Sequence, residues 1–236
     1  VHLCELAVAA SLAGNERAAD LLGRLPGLRT NLERVASVSV PVIVEAARGR
    51  LEALPRRSLH RISVTTLGPL RISRDGNPIV EPDWSRRARV REMMGLLVEE
   101  RRITRSRVAA ALWPGLTEEN ALRNVRVTLA YLQRVLEPDR PQRAEPCVVR
   151  TVGDELVLDD DVEIDVDAFK RQMLLATDHD RAGAPGSALA IYRDALALYD
   201  GDYLRGLDGE WLEATRARLH VLALGGFLRA GELELA

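Results

Sequence analysis

The sequence predicts a mainly α-helical protein with a small antiparallel β component, and three observations carry that prediction. Apolar residues recur every three or four positions over most of the chain, the period of an amphipathic helix. Three short strand-like stretches lie between residues 62 and 80, punctuated by glycine and proline. A further strand-like pair, residues 148 to 152 and 156 to 158, brackets Gly153-Asp154. Strands, then three helices with a tight turn before the last, then a terminal hairpin is the order of a winged helix-turn-helix with an N-terminal sheet. Tetratricopeptide-like helical hairpins are expected to flank it on both sides.

Residues 3 to 53 read as alanine-rich helix interrupted at Gly14, at Pro26-Gly27 and at Pro41, because glycine and proline break a helical period. Ala13-Gly14 and Ala19 form an A-G-x-x-x-x-A spacing that returns at 182–188 and at 230–236. Small residues at those offsets let antiparallel helices approach closely, as tetratricopeptide-type repeats require. A helical repeat-like segment is therefore expected over residues 1–58.

Pro55-Arg56-Arg57-Ser58 ends the helical pattern, and residues 62 to 67 alternate as a half-buried strand does. Gly68-Pro69 supplies a turn, residues 70 to 73 a second strand, Asp75-Gly76 a hairpin turn, and Ile79-Val80 a short third strand. A first helix follows over 86–100, with Val90, Met93, Met94, Leu97 and Val98 on one face. A short second helix, capped by Thr104 or Ser106, ends at Trp113-Pro114-Gly115. The third, over 117–137, spaces Leu122, Val125, Leu129, Leu132 and Leu136 by three and four residues as one buried seam, and Pro138 stops it. The hairpin around Gly153-Asp154 closes the winged-helix domain, placed at 59–152. Helices at 166–177, 187–199 and 210–229 make up a third, tetratricopeptide-like domain, 153–236.

A chain of 236 residues with 47% hydrophobic content can bury more than one core. No apolar run approaches the roughly 18 to 20 residues of a membrane span, and no basic-then-apolar leader opens the chain, so a cytoplasmic protein without a membrane partner is expected. Val1 in place of methionine, and an end at Ala236 within a helical pattern, lead to the expectation of an excised fragment of a longer protein. Cys4 and Cys147 have no neighbouring cysteine or histidine at metal-ligand spacing.

The net charge of −2 conceals a division. Residues 62 to 152 carry 16 basic and 11 acidic side chains, and residues 153 to 236 carry 8 and 18. A basic middle joined to an acidic end fits a polyanion-binding module attached to something that stays off the polyanion; solvated faces of ordinary helices give the same counts.

Turning 100° per residue along 117–137 puts Asn120, Arg123, Asn124, Val127, Ala130, Tyr131 and Arg134 opposite the seam, with Arg126 at the flank. Arginine and asparagine can form paired hydrogen bonds to guanine and adenine edges, and Val127 can touch a thymine methyl. On the hairpin, Arg150 and Thr151 are candidates for the minor groove or a phosphate. Arg86, Arg87, Arg89, Arg105 and Arg107 are candidates for phosphates, each also readable as a solvated surface arginine.

Leu67-Gly68-Pro69-Leu70, the helix from Arg86, Ala111-Leu112-Trp113-Pro114 and Ala121-Leu122-Arg123-Asn124 resemble the OmpR/PhoB-type winged helix of actinobacterial antibiotic-regulatory transcription activators. Asp165-Val166-Asp167-Ala168-Phe169, Tyr199-Asp200-Gly201-Asp202-Tyr203-Leu204 and Glu210-Trp211 resemble their bacterial transcriptional activator domain. The resemblance implies that the third helix enters the major groove and the wing meets the minor groove, through Arg123, Asn124, Arg126, Val127, Tyr131, Arg134 and Arg150. It implies a sequence-specific regulator acting on double-stranded DNA at promoter repeats, with RNA polymerase and a second copy of the chain as protein partners and no cofactor. The wing departs from the family in having Gly153-Asp154-Glu155-Leu156 where a glycine-tyrosine pair is usual.

Two other function classes compete with this reading. An enzyme lacks support, since no phosphate loop, dinucleotide fingerprint, nucleophile elbow or H-E-x-x-H occurs, and the acidic run from Asp159 lacks the glycine and closing glutamate of a calcium loop. A protein-interaction scaffold whose winged helix does not bind DNA is the stronger alternative.

Overall fold

The computed structural model describes residues 4, 7–10, 28–38, 40–53, 58–141 and 143–235. The breaks expected at Gly14 and Pro26-Gly27, the motif at 13–19 and the arginine pair at 56–57 lie outside the described residues. The chain divides into two compact units, Val1–Arg57 and Ser58–Ala236.

In the first unit, α1 (Leu28–Val38) and α2 (Pro41–Ala53) pack together. Pro41 opens α2, where a missing N–H costs nothing. Leu32, Val35 and Ala47 join Cys4 and Val8 in a small buried cluster.

The second unit begins with a four-stranded sheet. Strand β1 (Ile62–Thr65) pairs antiparallel with β2 (Arg71–Arg74), which pairs with β3 (Asn77–Pro78). Alternation in β1 buries Ile62 and Val64 on one face, as period-two patterning requires. The third strand starts two residues earlier than expected, although Ile79 still donates its N–H to the Ile72 carbonyl. The fourth strand, β7 (Glu163–Ile164), pairs parallel to β1, Val64 opposite Ile164. No local pattern announces a two-residue strand whose partner is a hundred positions away.

A four-residue helix, α3 (Pro82–Ser85), precedes α4 (Ala88–Glu100). Strand β4 (Arg102–Thr104) and α5 (Arg105–Leu112) follow, the Thr104 hydroxyl accepting the Arg107 N–H as an N-cap. Then come α6 (Glu118–Leu136) and the hairpin β5 (Val149–Val152) and β6 (Glu155–Leu158). The hairpin crosses position 153 and takes β4 as its third strand, in the order β4-β6-β5. This is a winged helix-turn-helix with an N-terminal sheet.

The helical part consists of α7 (Asp165–Arg181), α8 (Pro185–Leu196) and α9 (Glu210–Leu235). Helix α8 packs on both neighbours. Gly226 lets α7 and α8 close on α9, since a Cβ there would stand 2.5 Å from Met173 Cε and 3.3 Å from Leu196. Arg229 of α9 forks onto Asp180 of α7 at 2.6 and 2.8 Å, which lowers the Asp180 pKa below the usual carboxylate value.

These helices share a continuous core with the winged helix. The Asp165 carboxylate accepts the N–H groups of Thr66 and Leu67 and the Thr66 hydroxyl. Leu204 and Arg205 donate N–H groups to the Thr66 and Gly68 carbonyls. Gly95 of α4 lies under Leu207 and Trp211, where a Cβ would come within 2.7 Å of Leu207 Cδ1. No helix among the described residues is long and apolar enough to cross a membrane.

Candidate nucleic-acid interface

Helix α6 is anchored by Ala121, Val125, Thr128, Leu129, Leu132, Val135 and Leu136, all buried against α3, α4 and α5. Leu122, expected in the seam, is only half-buried, while Ala121, Thr128 and Val135 are fully buried. The buried arc is thus turned by about 30° from the arc drawn through the leucines alone, at 100° per residue. Small and β-branched residues fill the close approach that leucine spacing does not report. Glu118 and Glu119 occupy the first turn, where carboxylates complement the helix dipole.

The rotation decides which candidate residues project. Arg123 and Arg134 have side chains 67% and 66% exposed, and Val127 is 51% exposed. Asn120, Arg126 and Ala130 are exposed beside them, whereas Asn124 and Tyr131 swing to the flank and are half-buried. Arg123 faces Glu119 at 3.7 Å on the same helix, a solvated pair that leaves its guanidinium available. The Arg126 side chain makes no hydrogen bond or ion pair among the described residues.

Arg134 is engaged. Its Nη1 lies 3.4 Å from Asp83 Oδ2, while Arg87 Nε lies 3.0 Å from Asp83 Oδ1. Both guanidinium groups stand by the ring of Tyr131, Arg87 at 3.8 Å and Arg134 at 5.4 Å from its centroid. Arg89 pairs with Glu92 and lies 5.9 Å from the Trp113 ring centre. Arg86 is exposed and makes no ion pair among the described residues.

On the wing, Arg150 turns away from the tip. Its side chain is 28% exposed, and one Nη stands 3.6 Å from Asp159. Its Nε is buried without a hydrogen-bond partner. Burial raises the Asp159 pKa, and Arg150 opposes that rise. Thr151, Val152, Gly153 and Asp154 form the exposed tip, with Gly153 at φ 62° supplying the left-handed turn residue. Arg105 holds that turn by donating to the carbonyls of Gly153 and Asp154 at 3.1 and 3.3 Å. Arg107 pairs with Glu100 at 2.5 Å.

Two residues that organise this face escape the sequence reading. Asp83 gathers Arg87 and Arg134, and no spacing rule connects positions 83 and 134. Glu137, which is 7% exposed, accepts the N–H groups of Cys147 and Val148 and so ties the end of α6 to the start of the wing. A glutamate just before a proline reads from sequence as a helix end, not as the receptor for a loop ten residues on.

The interface therefore offers an arginine-rich helix face with an apolar residue at its centre, a clasped arginine pair at one end and a small, rigidly held wing. Such a surface can pair guanidinium groups with phosphates and base edges. Among the described residues, no cluster of three or more histidine, cysteine or acidic side chains could hold a metal ion.

Residues 164–236 match the family described as the bacterial transcriptional activator domain. The chain is 31% identical over 157 residues to Regulatory protein AfsR of Streptomyces coelicolor, covering 65% of this chain and 15% of that protein. It thus spans a minor part of the length of this curated relative. The fold is similar to that of a solved structure, Mycobacterium tuberculosis EmbR in complex with low affinity phosphopeptide. The TM-score is 0.62 at 20% identity, over 75% of this chain and 46% of that one. The activator-domain part of the resemblance drawn from the sequence agrees with the family match over residues 164–236, and its winged-helix part with the fold of the solved structure.

Proposed function

We propose that the chain, whose residues 164–236 match the bacterial transcriptional activator domain, regulates transcription in the cytoplasm by docking α6 into the major groove of a promoter repeat. The observation that carries this reading is the outward face of α6: Arg123, Arg126 and Val127 project without burial in a helix anchored along its opposite side. An exposed valine among arginines has no role in the core and suits a thymine methyl. Arg134 and the wing tip flank that face; Arg150 supports the wing from within. The relative named a regulatory protein adds to the reading. The helical part, with its excess of acidic side chains, is repelled by phosphate and turns toward protein partners, RNA polymerase and a second copy on the adjacent repeat.

Anisotropy of a labelled duplex titrated with the full chain tests this. Affinity should fall steeply between about 50 and 200 mM salt, as counterion release demands. Arg123→Ala and Arg126→Ala should each weaken binding to a selected target site by about 1–3 kcal/mol if they reach bases. A second reading, a protein-interaction scaffold, is favoured by the engagement of Arg105, Arg107, Arg134 and Arg150 with groups of the protein itself. No binding at the lowest salt would select it.

A further inference from the structure

We propose that Asp83 and the Tyr131 ring hold Arg87 and Arg134 as a preformed clamp for a single backbone phosphate of the duplex. The inference rests on the DNA-binding reading above and names how one part of that surface works. The two arginines come from different elements, Arg87 from the residue that caps α4 and Arg134 from the last turn of α6. Nothing in the covalent chain brings them together. They converge because one carboxylate takes both, at 3.0 and 3.4 Å, and because one aromatic face lies within reach of both.

The exposures run in the order a clamp requires. The Asp83 side chain is 25% exposed, behind Arg87 at 46% and Arg134 at 66%. The carboxylate binds Nε of Arg87 and one Nη of Arg134. The other guanidinium N–H groups make no hydrogen bond among the described residues. Two cations against one anion leave a positive excess, and the fork geometry of arginine suits a phosphate. Asp83 is itself fixed, since Arg91 donates to the carbonyls of Trp84 and Ser85 and the Trp84 side chain is buried. Asp83 is thus a positioning residue, and the arginines touch the ligand.

The sign of one substitution separates this from plain electrostatics. Removing a carboxylate beside DNA strengthens binding if charge alone matters. If Asp83 positions the clamp, Asp83→Asn weakens it, because two freed arginines must be ordered anew. The probe is a labelled duplex of mixed sequence, titrated with the full chain across a salt series. Wild type should show the steep salt dependence of phosphate contacts. Asp83→Asn should bind about three- to tenfold more weakly, with the salt slope reduced by about one phosphate. Tyr131→Leu, which keeps the carboxylate and both arginines, should move both quantities in the same direction, and it decides the matter if Asp83→Asn fails to fold. Equal or tighter binding with an unchanged slope overturns the clamp while leaving DNA binding intact. Absence of salt-dependent binding by wild type removes the functional reading itself, and the clamp with it.

Discussion

Arg150 and Arg126 are the same residue type in one winged helix, and their surroundings give them opposite roles. Arg126 stands in solvent without a partner among the described residues, whereas Arg150 is drawn down to Asp159. An ion pair half out of water contributes little by itself, yet removing one member strands the other. Arg150→Ala should therefore cost about 1 kcal/mol of stability at neutral pH, through the unpaired Asp159 carboxylate. Burial already raises the folded-state pKa of Asp159. Protonation in the folded state relieves the cost, so the difference from wild type should shrink as pH falls through that raised value. Thermal unfolding of both proteins at neutral and mildly acidic pH measures this; a constant difference would show that Asp159 is not the stranded group. Duplex affinity should change far less than in Arg123→Ala. The sequence placed Arg150 on a hairpin correctly but could not choose its direction, which depends on an aspartate arriving after the next strand.

At the scale of elements, His60 joins three pieces of chain that meet only in the fold. Its Nδ1 lies 2.6 Å from Asp75 in the β2–β3 turn, and its Nε2 lies 3.0 Å from Asp139 just beyond α6. Carboxylates only accept, so an imidazole serving both must carry both protons. The hydrogen bond to Asp75 raises the His60 pKa above its ordinary 6.5, opposed by burial. Asp75 in turn lies below its ordinary value, because the Arg61 N–H and then His60 hydrogen-bond to it. A raised folded-state pKa gives a stabilising contribution that is complete below 6.5 and is lost as pH rises through the raised value. The lowered Asp75 pKa gives one that is lost only in acid. The urea midpoint of the chain should thus decline from pH 6 to pH 8.5, with pH values chosen to bracket an ordinary histidine at about 6.5, and His60→Gln should flatten the decline. An undiminished slope in His60→Gln would assign the effect to another group. The elements missed from sequence, α3, β4 and β7, are two to four residues long and exist through partners elsewhere in the chain. Of the elements found, α4 and α6 each satisfy a local period of their own, and the wing hairpin is marked by β-branched and apolar stretches on either side of Gly153-Asp154.

At the scale of the molecule, the winged helix and the activator-type helices of the second unit are not separate bodies on a linker. Glu99 of α4 accepts the hydroxyls of Tyr203 and Thr215, and Tyr203 is buried with its pKa pushed up by desolvation and the nearby Glu99. Arg216 donates to the carbonyls of Tyr203, Leu204 and Leu207, holding the loop that presses on Gly95. Burial of this polar network commits both halves, since breaking the contact would strand several groups at about 1–3 kcal/mol each. Residues 58 to 236 should accordingly unfold in one transition, reported alike by far-ultraviolet dichroism and by fluorescence. Gly95 is the place to test it. A larger side chain there runs into Leu207 Cδ1 at 2.7 Å and the Trp211 ring at 3.2 Å, while Gly225 on α9 has open space around it. Gly95→Leu should destabilise by about 1–3 kcal/mol through overpacking, and Gly225→Leu should not, because leucine favours a helix over glycine. If Gly95→Leu instead leaves the main transition unchanged and uncouples the two probes, the halves fold independently. The angle between α6 and the outer helices would then be adjustable and not built into the core. A fixed angle matters for the proposed function: with α6 seated in a groove, a shared core carries the activator-type helices to one defined side of the duplex.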